Sequence, residues 1–226
     1  MNAKLSTQKI KKLATEEKAN IVGVADLTLL KGIFASPENL LNSYKYGVSI
    51  GVNLEQYGGY DNSTEDNAFA QLEKTAKRLS EYIRSKGFKS KIVPCDKRIE
   101  RNGPLHWKGE ISHKAIAKAA GLGWIGKSTL LVTPNFGSRI CLITILTNMP
   151  LIADQPARNR CGDCKKCVES CPLNALVGAK FSDHPDKLEE AIDVLKCGSY
   201  ISKTWRKGEL CYSCLLACPY GKKKTV

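Results

Sequence analysis

Apolar residues recur along the first 150 or so positions at two alternating periods. Ile10, Leu13 and Ala14 share one face of a lysine-rich stretch, and Ser6 stands where an N-cap belongs, which predicts a helix to about Lys18. NIVGVADL and YGVSIGVNL are β-branched and apolar and predict buried strands, with a helical stretch SPENLLNSY between them. GGYDNSTEDN is polar and turn-rich and predicts a loop. From Ala68 onward Ala70, Leu72, Ala76, Leu79 and Ile83 return at helical spacing, so one long amphipathic helix reaches about Ser85 and Gly87 ends it. SKIVP predicts a short strand, and DKRIERNGPLHWKGE a long aperiodic loop of the kind that often carries function. ISHKAIAKAA predicts a helix closed by Gly121. LLVTP and SRICLITILT predict two strands joined by the turn Pro134-Asn135-Phe136-Gly137. Strands and helices alternate, so this part of the chain is α/β.

The pattern stops near Asp154, beyond which apolar residues are too few to close a core without added staples. Two domains follow, 1–153 and 154–226. No apolar run approaches the ~20 residues of a membrane span, the longest being Ile140 to Leu146. The polar N-terminus MNAKLSTQKIKKLATEEKA has no secretory core. A cytoplasmic protein with no membrane partner is expected.

The second domain supplies its staples as cysteines. Eight of the ten lie there in two related runs: Cys161, Cys164, Cys167 and Cys171 before Pro172, then Cys197, Cys211, Cys214 and Cys218 before Pro219. The first run has the spacing of bacterial two-cluster ferredoxins, in which three close thiolates hold one [4Fe-4S] cluster and the fourth reaches to the other. The second run repeats it with its first interval stretched. This predicts one cluster on Cys161, Cys164, Cys167 and Cys218, and a second on Cys171, Cys197, Cys211 and Cys214. Disulfides suit a secreted chain, and zinc favours separated Cys-x2-Cys knuckles, so neither fits as well. Cys95 is the alternative to Cys197 as a ligand, and Cys141, in an apolar run, reads as a core thiol.

The formal charge is +13. Eight thiolates and two oxidised cubane cores of +2 each leave it at +9. Such a field attracts nucleic acid or an acidic electron donor, although GKKKTV and TQKIKK read equally as solvated faces, and aromatic residues do not alternate with the basic ones.

GLGWIGKS matches a phosphate-binding P-loop letter for letter, from Gly121 to Gly126, Lys127 and Ser128, and contains the dinucleotide pattern Gly121, Gly123, Gly126. Both motifs need a strand before the glycines and a helix N-terminus after them. Here a helix precedes and a strand follows, which argues against a nucleotide. The glycines instead allow close approach to another body, either packed protein or a flat cofactor, with Trp124 and Lys127 as its edges.

The string AAGLGWIGKSTLLVTP, then FGSR, LTNMPL and the double cysteine run, resembles the epoxyqueuosine reductase family, relatives of the reductive dehalogenases. The resemblance covers roughly the second half of the chain. It implies a mixed-sheet cobalamin-binding-type α/β domain followed by a two-cluster ferredoxin-like module, with electrons passing through the clusters to cobalt. On that reading Gly121, Gly123, Trp124, Gly126, Lys127, Gly137 and Ser138 lie against the corrin, although the Asp-x-His-x2-Gly motif of other cobalamin proteins is absent. Many members carry C-terminal helical repeats, and this chain has eight residues after Cys218, which implies a short member without them. The family's proton-donating aspartate corresponds to Trp107, which leaves His106, Glu110 and His113 as candidate proton donors.

Two functions follow from the sequence. One is an iron-sulfur oxidoreductase that passes electrons from a donor such as a ferredoxin or flavodoxin to a cobalamin, which reduces a substrate such as epoxyqueuosine in tRNA. The alternative is an electron-transfer or corrinoid-activating protein with a corrinoid protein as partner and no substrate of its own. A nucleic-acid-binding module stapled by clusters rests on charge alone.

Overall fold

A four-stranded sheet in the order β1-β2-β6-β3 forms the middle of a computed structural model that describes residues 2–30, 38–58, 60, 62–95, 109–178, 190–205 and 211–222. Its strands are β1 (Ile21–Asp26), β2 (Tyr46–Asn53), β3 (Ser90–Val93) and β6 (Ile140–Thr147), and every pairing among them is antiparallel. β2 and β3 run the same way, joined by α2 (Asn62–Ser85), and β6 fills the gap between them. The architecture is mixed α/β.

Helices cover both faces of the sheet, which is why β2 is buried along almost its whole length. On one face Val48, Ile50, Val52, Ile143 and Ile145 pack against Ile10 and Ala14 of α1 (Ala3–Glu16) and against Leu72, Ala76, Leu79 and Ile83 of α2. The other face packs Leu146, Ala25 and Val93 against Ile116 and Ala120 of the segment containing α3 (His113–Ala119). Gly23 and Gly47 permit this second contact. A Cβ at Gly23 would stand 2.3 Å from the Ala120 carbonyl oxygen, and one at Gly47 2.8 Å from Ile116 Cγ2.

Several boundaries differ from the sequence reading. The cap of α1 is Asn2, whose side chain accepts from the Lys4 and Leu5 amides, while Ser6 lies inside the helix and donates its hydroxyl to the Asn2 carbonyl. α2 begins at Asn62, within the stretch read as loop, because Ser63, Thr64 and Glu65 are polar in the way a helix's first turn favours. The described part of SPENLLNSY forms only a short 3-10 turn, Leu40–Ser43. LLVTP supplies β5 (Leu131–Val132), which pairs with β4 (Trp124–Ile125) in a separate ribbon and not with β6.

The described residues of the cysteine-rich segment include the helices α4 (Lys166–Glu169), α5 (Val194–Trp205) and α6 (Ser213–Leu216). The strap leading into it lies along the open edge of β1. Asp154 exchanges backbone and side-chain bonds with Val24, each 2.8 Å, and its carboxylate pairs with Lys11 at 2.6 Å. Among the described residues no helix is long and apolar enough to cross a membrane.

Candidate iron-sulfur site

All ten cysteines are free thiols, and eight of them fall into two neighbouring sets. Cys161, Cys164, Cys167 and Cys218 line one cavity, roofed by Gly126 and Lys127 of the α/β part and closed by Tyr220. Burial pushes the Cys167 thiol up, and Cys161, Cys164 and Cys218 push it further. Burial likewise raises Cys214 to about 12, helped by Cys211, Cys197, Cys167 and Cys171. Cys197 is raised by burial and then by Cys171 and Cys211. The second set is therefore Cys171, Cys197, Cys211 and Cys214, and the interaction of Cys167 with Cys214 makes the two sets adjacent. Ser170 links them, its hydroxyl shared between the Cys167 and Ser213 carbonyls at 3.0 and 3.3 Å.

Buried thiols that resist ionisation are poor reagents on their own but suit a metal that neutralises the thiolate. Among the described residues no group of three or more His, Cys, Asp or Glu is arranged to hold one metal ion, whereas a cubane is held by thiolates spread around a larger body. The donor set fits such clusters. Cys95 and Cys141 lie elsewhere, both against the sheet core, where burial and the charges of Glu65 and Cys95 push Cys141 far above the ordinary thiol range.

The glycine string follows α3 and leads into β4, and its Gly126 and Lys127 line the cavity of the first cysteine set. Gly121 has φ 73°, and a Cβ there would stand 2.5 Å from the Gln155 carbonyl oxygen. A Cβ on Gly123 would stand 2.2 Å from the Val132 carbonyl oxygen, so glycine lets β4 lie against β5. Gly126 approaches Cys161 Sγ, and a Cβ on Gly137 would stand 2.3 Å from the Tyr220 carbonyl oxygen. Trp124 is 1% exposed and donates its indole N–H to Cys161 Sγ at 3.3 Å. Lys127, also buried, donates to the Cys164 carbonyl at 2.9 Å. The Ser138 hydroxyl donates to the Leu215 carbonyl at 3.0 Å. Protein thus packs against Gly121, Gly123 and Gly137 on the side where a Cβ would stand, and Gly126 faces the first cysteine set.

Of the proton-donor candidates, His106 lies outside the described residues, as does Trp107. His113 is held on both ring nitrogens. Nε2 faces the Pro94 carbonyl at 3.2 Å, which can only accept, so Nε2 carries the proton and Nδ1 accepts from Thr144 Oγ1 at 2.9 Å. Burial holds His113 below the ordinary histidine range, against opposing pulls from the Pro94 carbonyl and Glu110. Glu110 pairs with Lys91 at 2.8 Å.

Arg139 escaped the sequence reading although it belongs to the FGSR string. It is 2% exposed, donates to the carbonyls of Cys218 (3.3 Å) and Tyr220 (2.7 Å), and forms an ion pair with Glu55 at 2.9 Å. The one available signal was its place two residues after Gly137 in a string set apart from charged surface runs. Asn159 also escaped notice; it bridges the Ile125 carbonyl and the Cys161 amide.

Residues 160–222 match the 4Fe-4S dicluster domain, a span that contains both cysteine sets and excludes Cys95 and Cys141. An epoxyqueuosine reductase of Listeria monocytogenes is 36% identical over 126 residues, covering 50% of this chain and 31% of the relative. The chain therefore spans about a third of the length of that curated relative. A structure described as suggesting a mechanism for B12-dependent dehalogenation by a reductive dehalogenase superposes with TM-score 0.77 at 22% identity, covering 100% of this chain and 33% of that one. An epoxyqueuosine reductase bound to an epoxyqueuosine-modified tRNA stem loop superposes with TM-score 0.69 at 21% identity, covering 99% and 67%. Residues 160–222 are thus a 4Fe-4S dicluster domain, set against an α/β layer in a chain with the fold of epoxyqueuosine reductases and reductive dehalogenases.

Proposed function

We propose that this chain is the electron-delivering and substrate-reducing part of an iron-sulfur reductase of the epoxyqueuosine reductase type. One observation carries the reading: a cavity lined by four cysteines of the dicluster segment is roofed by residues of the α/β part. A free-standing ferredoxin needs no such roof. Cys161, Cys164, Cys167 and Cys218 would hold one cluster, and Cys171, Cys197, Cys211 and Cys214 the other. When bound, the two clusters supply one-electron carriage.

The protein's own contribution is positional. Ser170 fixes the separation of the two sets, Asp154 anchors the strap to β1, and Arg139 holds the backbone of the last cysteine. The substrate class is epoxyqueuosine in tRNA, by likeness to the relatives, and the positive charge of the chain suits such a polyanion. Cobalamin comes to the proposal from the B12-dependent dehalogenase. The carbonyls of Val132, Gln155 and Tyr220 pack against the glycine string. A ferredoxin or flavodoxin is the class of donor that suits single electrons, and a reducing cytoplasm suits ten free thiols.

The second reading, an electron-transfer or corrinoid-activating protein without its own substrate, is favoured by that same packing. Anaerobically purified protein separates the two. Added cobalamin should perturb the spectrum, and a modified tRNA stem loop should be reduced in its presence. Iron-sulfur absorption that cobalamin leaves unchanged, with no turnover, favours the electron-transfer reading and contradicts the reductase.

A further inference from the structure

We propose that Trp124 and Lys127 of the glycine string, with Arg139, form an electrostatic seat that holds the cluster on Cys161, Cys164, Cys167 and Cys218 at a higher reduction potential than its neighbour. The inference rests on the ligand assignment above and goes beyond it, because ligands alone leave two clusters of four thiolates each equivalent. Three of those four cysteine residues receive a donor from the α/β part. The Trp124 indole N–H reaches Cys161 Sγ at 3.3 Å, Lys127 Nζ reaches the Cys164 carbonyl at 2.9 Å, and Arg139 Nη1 reaches the Cys218 carbonyl at 3.3 Å.

These donors are fixed and dry. Trp124 is 1% exposed, with the Tyr220 ring edge-on at 4.8 Å and the Arg160 guanidinium 5.8 Å above its ring. Lys127 and Arg139 are both buried. Among the described residues Lys127 has no carboxylate within ion-pair distance, whereas Glu55 offsets part of the charge on Arg139. The second set is served differently. The Ala175 amide reaches Cys171 Sγ at 3.3 Å, and Ser213 lies 3.7 Å from Cys211 Sγ. Among the described residues no lysine or arginine hydrogen-bonds to any of its four members.

Reduction adds one negative charge to a cluster and neither makes nor breaks a bond. A donor to cluster sulfur and a buried cation both favour the more negative form, and so raise the potential. In a singly reduced molecule the electron therefore rests on the first cluster, on the side facing the α/β part, while the second returns to its oxidised form.

The full chain, purified anaerobically with its clusters, tests this by stepwise dithionite reduction followed by electron paramagnetic resonance and iron analysis. Two one-electron waves are expected. Trp124→Phe keeps the ring and removes the donor, and Lys127→Gln keeps a donor and removes the charge. Each should shift the electron's distribution away from the first cluster about tenfold, a fall of about 59 mV for one electron in the higher wave, with the lower wave unmoved. If one variant fails to retain iron, the other decides. Full iron with both waves unmoved, or movement of the lower wave alone, overturns the proposal and leaves the ligand assignment standing. Wild-type protein holding iron for only one cluster overturns both.

Discussion

Arg139 donates from Nη1 to the carbonyl oxygen of Cys218 at 3.3 Å, and the contact ties the start of β6 to the last cysteine of the dicluster domain. The same side chain donates to the Tyr220 carbonyl at 2.7 Å. Arg139→Leu removes both and leaves two carbonyls unpaired, a loss of about 3 kcal/mol at ~1.5 kcal/mol or more per bond to a charged donor. Glu55 is half exposed and returns to water, so the ion pair adds little. Urea unfolding should show the loss, with iron falling by about half as Cys218 becomes unanchored. Unchanged stability and iron would mean that the contact is incidental.

Cys197 lies with Cys171 and Cys211, while Cys95 packs against the sheet core. Cys197→Ala should therefore remove about half the iron, and Cys95→Ala should leave it intact. Iron analysis of the two anaerobic preparations decides; the reverse result would move the second cluster's ligand to Cys95.

Gly123 carries a steric argument with no cofactor in it. A Cβ there meets the Val132 carbonyl oxygen at 2.2 Å, and backbone of a paired strand cannot swing aside as a side chain would. Gly123→Ala should cost about 1–3 kcal/mol, the usual range for overpacking, and should separate β4 from β5. Thermal unfolding reads the loss. A neutral substitution would show that the ribbon is free to open.

His113 makes stability depend on pH. Burial depresses its proton affinity in the folded state, so well above the ordinary value of 6.5 folded and unfolded chains are both neutral at this site and the folded form keeps its full stability. As pH falls below 6.5 the unfolded chain takes up the proton first, and stability declines until His113 itself protonates. Denaturant midpoints between pH 7.5 and 5, set about that value, should fall in the native protein and stay flatter in His113→Gln. Equal slopes would remove His113 from the account.

The sheet and its long helix were legible because their signals are local and periodic: Leu72, Ala76, Leu79 and Ile83 repeat at helical spacing and all four are fully buried. Helix ends were less so, since Asn62 to Glu65 have the composition of a loop and of a helix's first turn alike. The dicluster segment was legible because cysteine spacing alone marks a cluster loop. The role of the glycine string was only half legible. Its reversed order spoke against a phosphate, but the backbone it packs against, at Val132, Gln155 and Tyr220, meets it only after folding. Arg139 was hidden for the same reason, because its partners Cys218 and Tyr220 are remote in sequence.

Single cysteine variants test crossed ligation of the two clusters. Cys161→Ala and Cys218→Ala should abolish the same paramagnetic signal in the reduced protein, although Cys218 lies in the second run, and Cys171→Ala and Cys214→Ala should abolish the other. If Cys218→Ala instead removes the signal lost in Cys214→Ala, the two clusters are not crossed and the assignment is wrong.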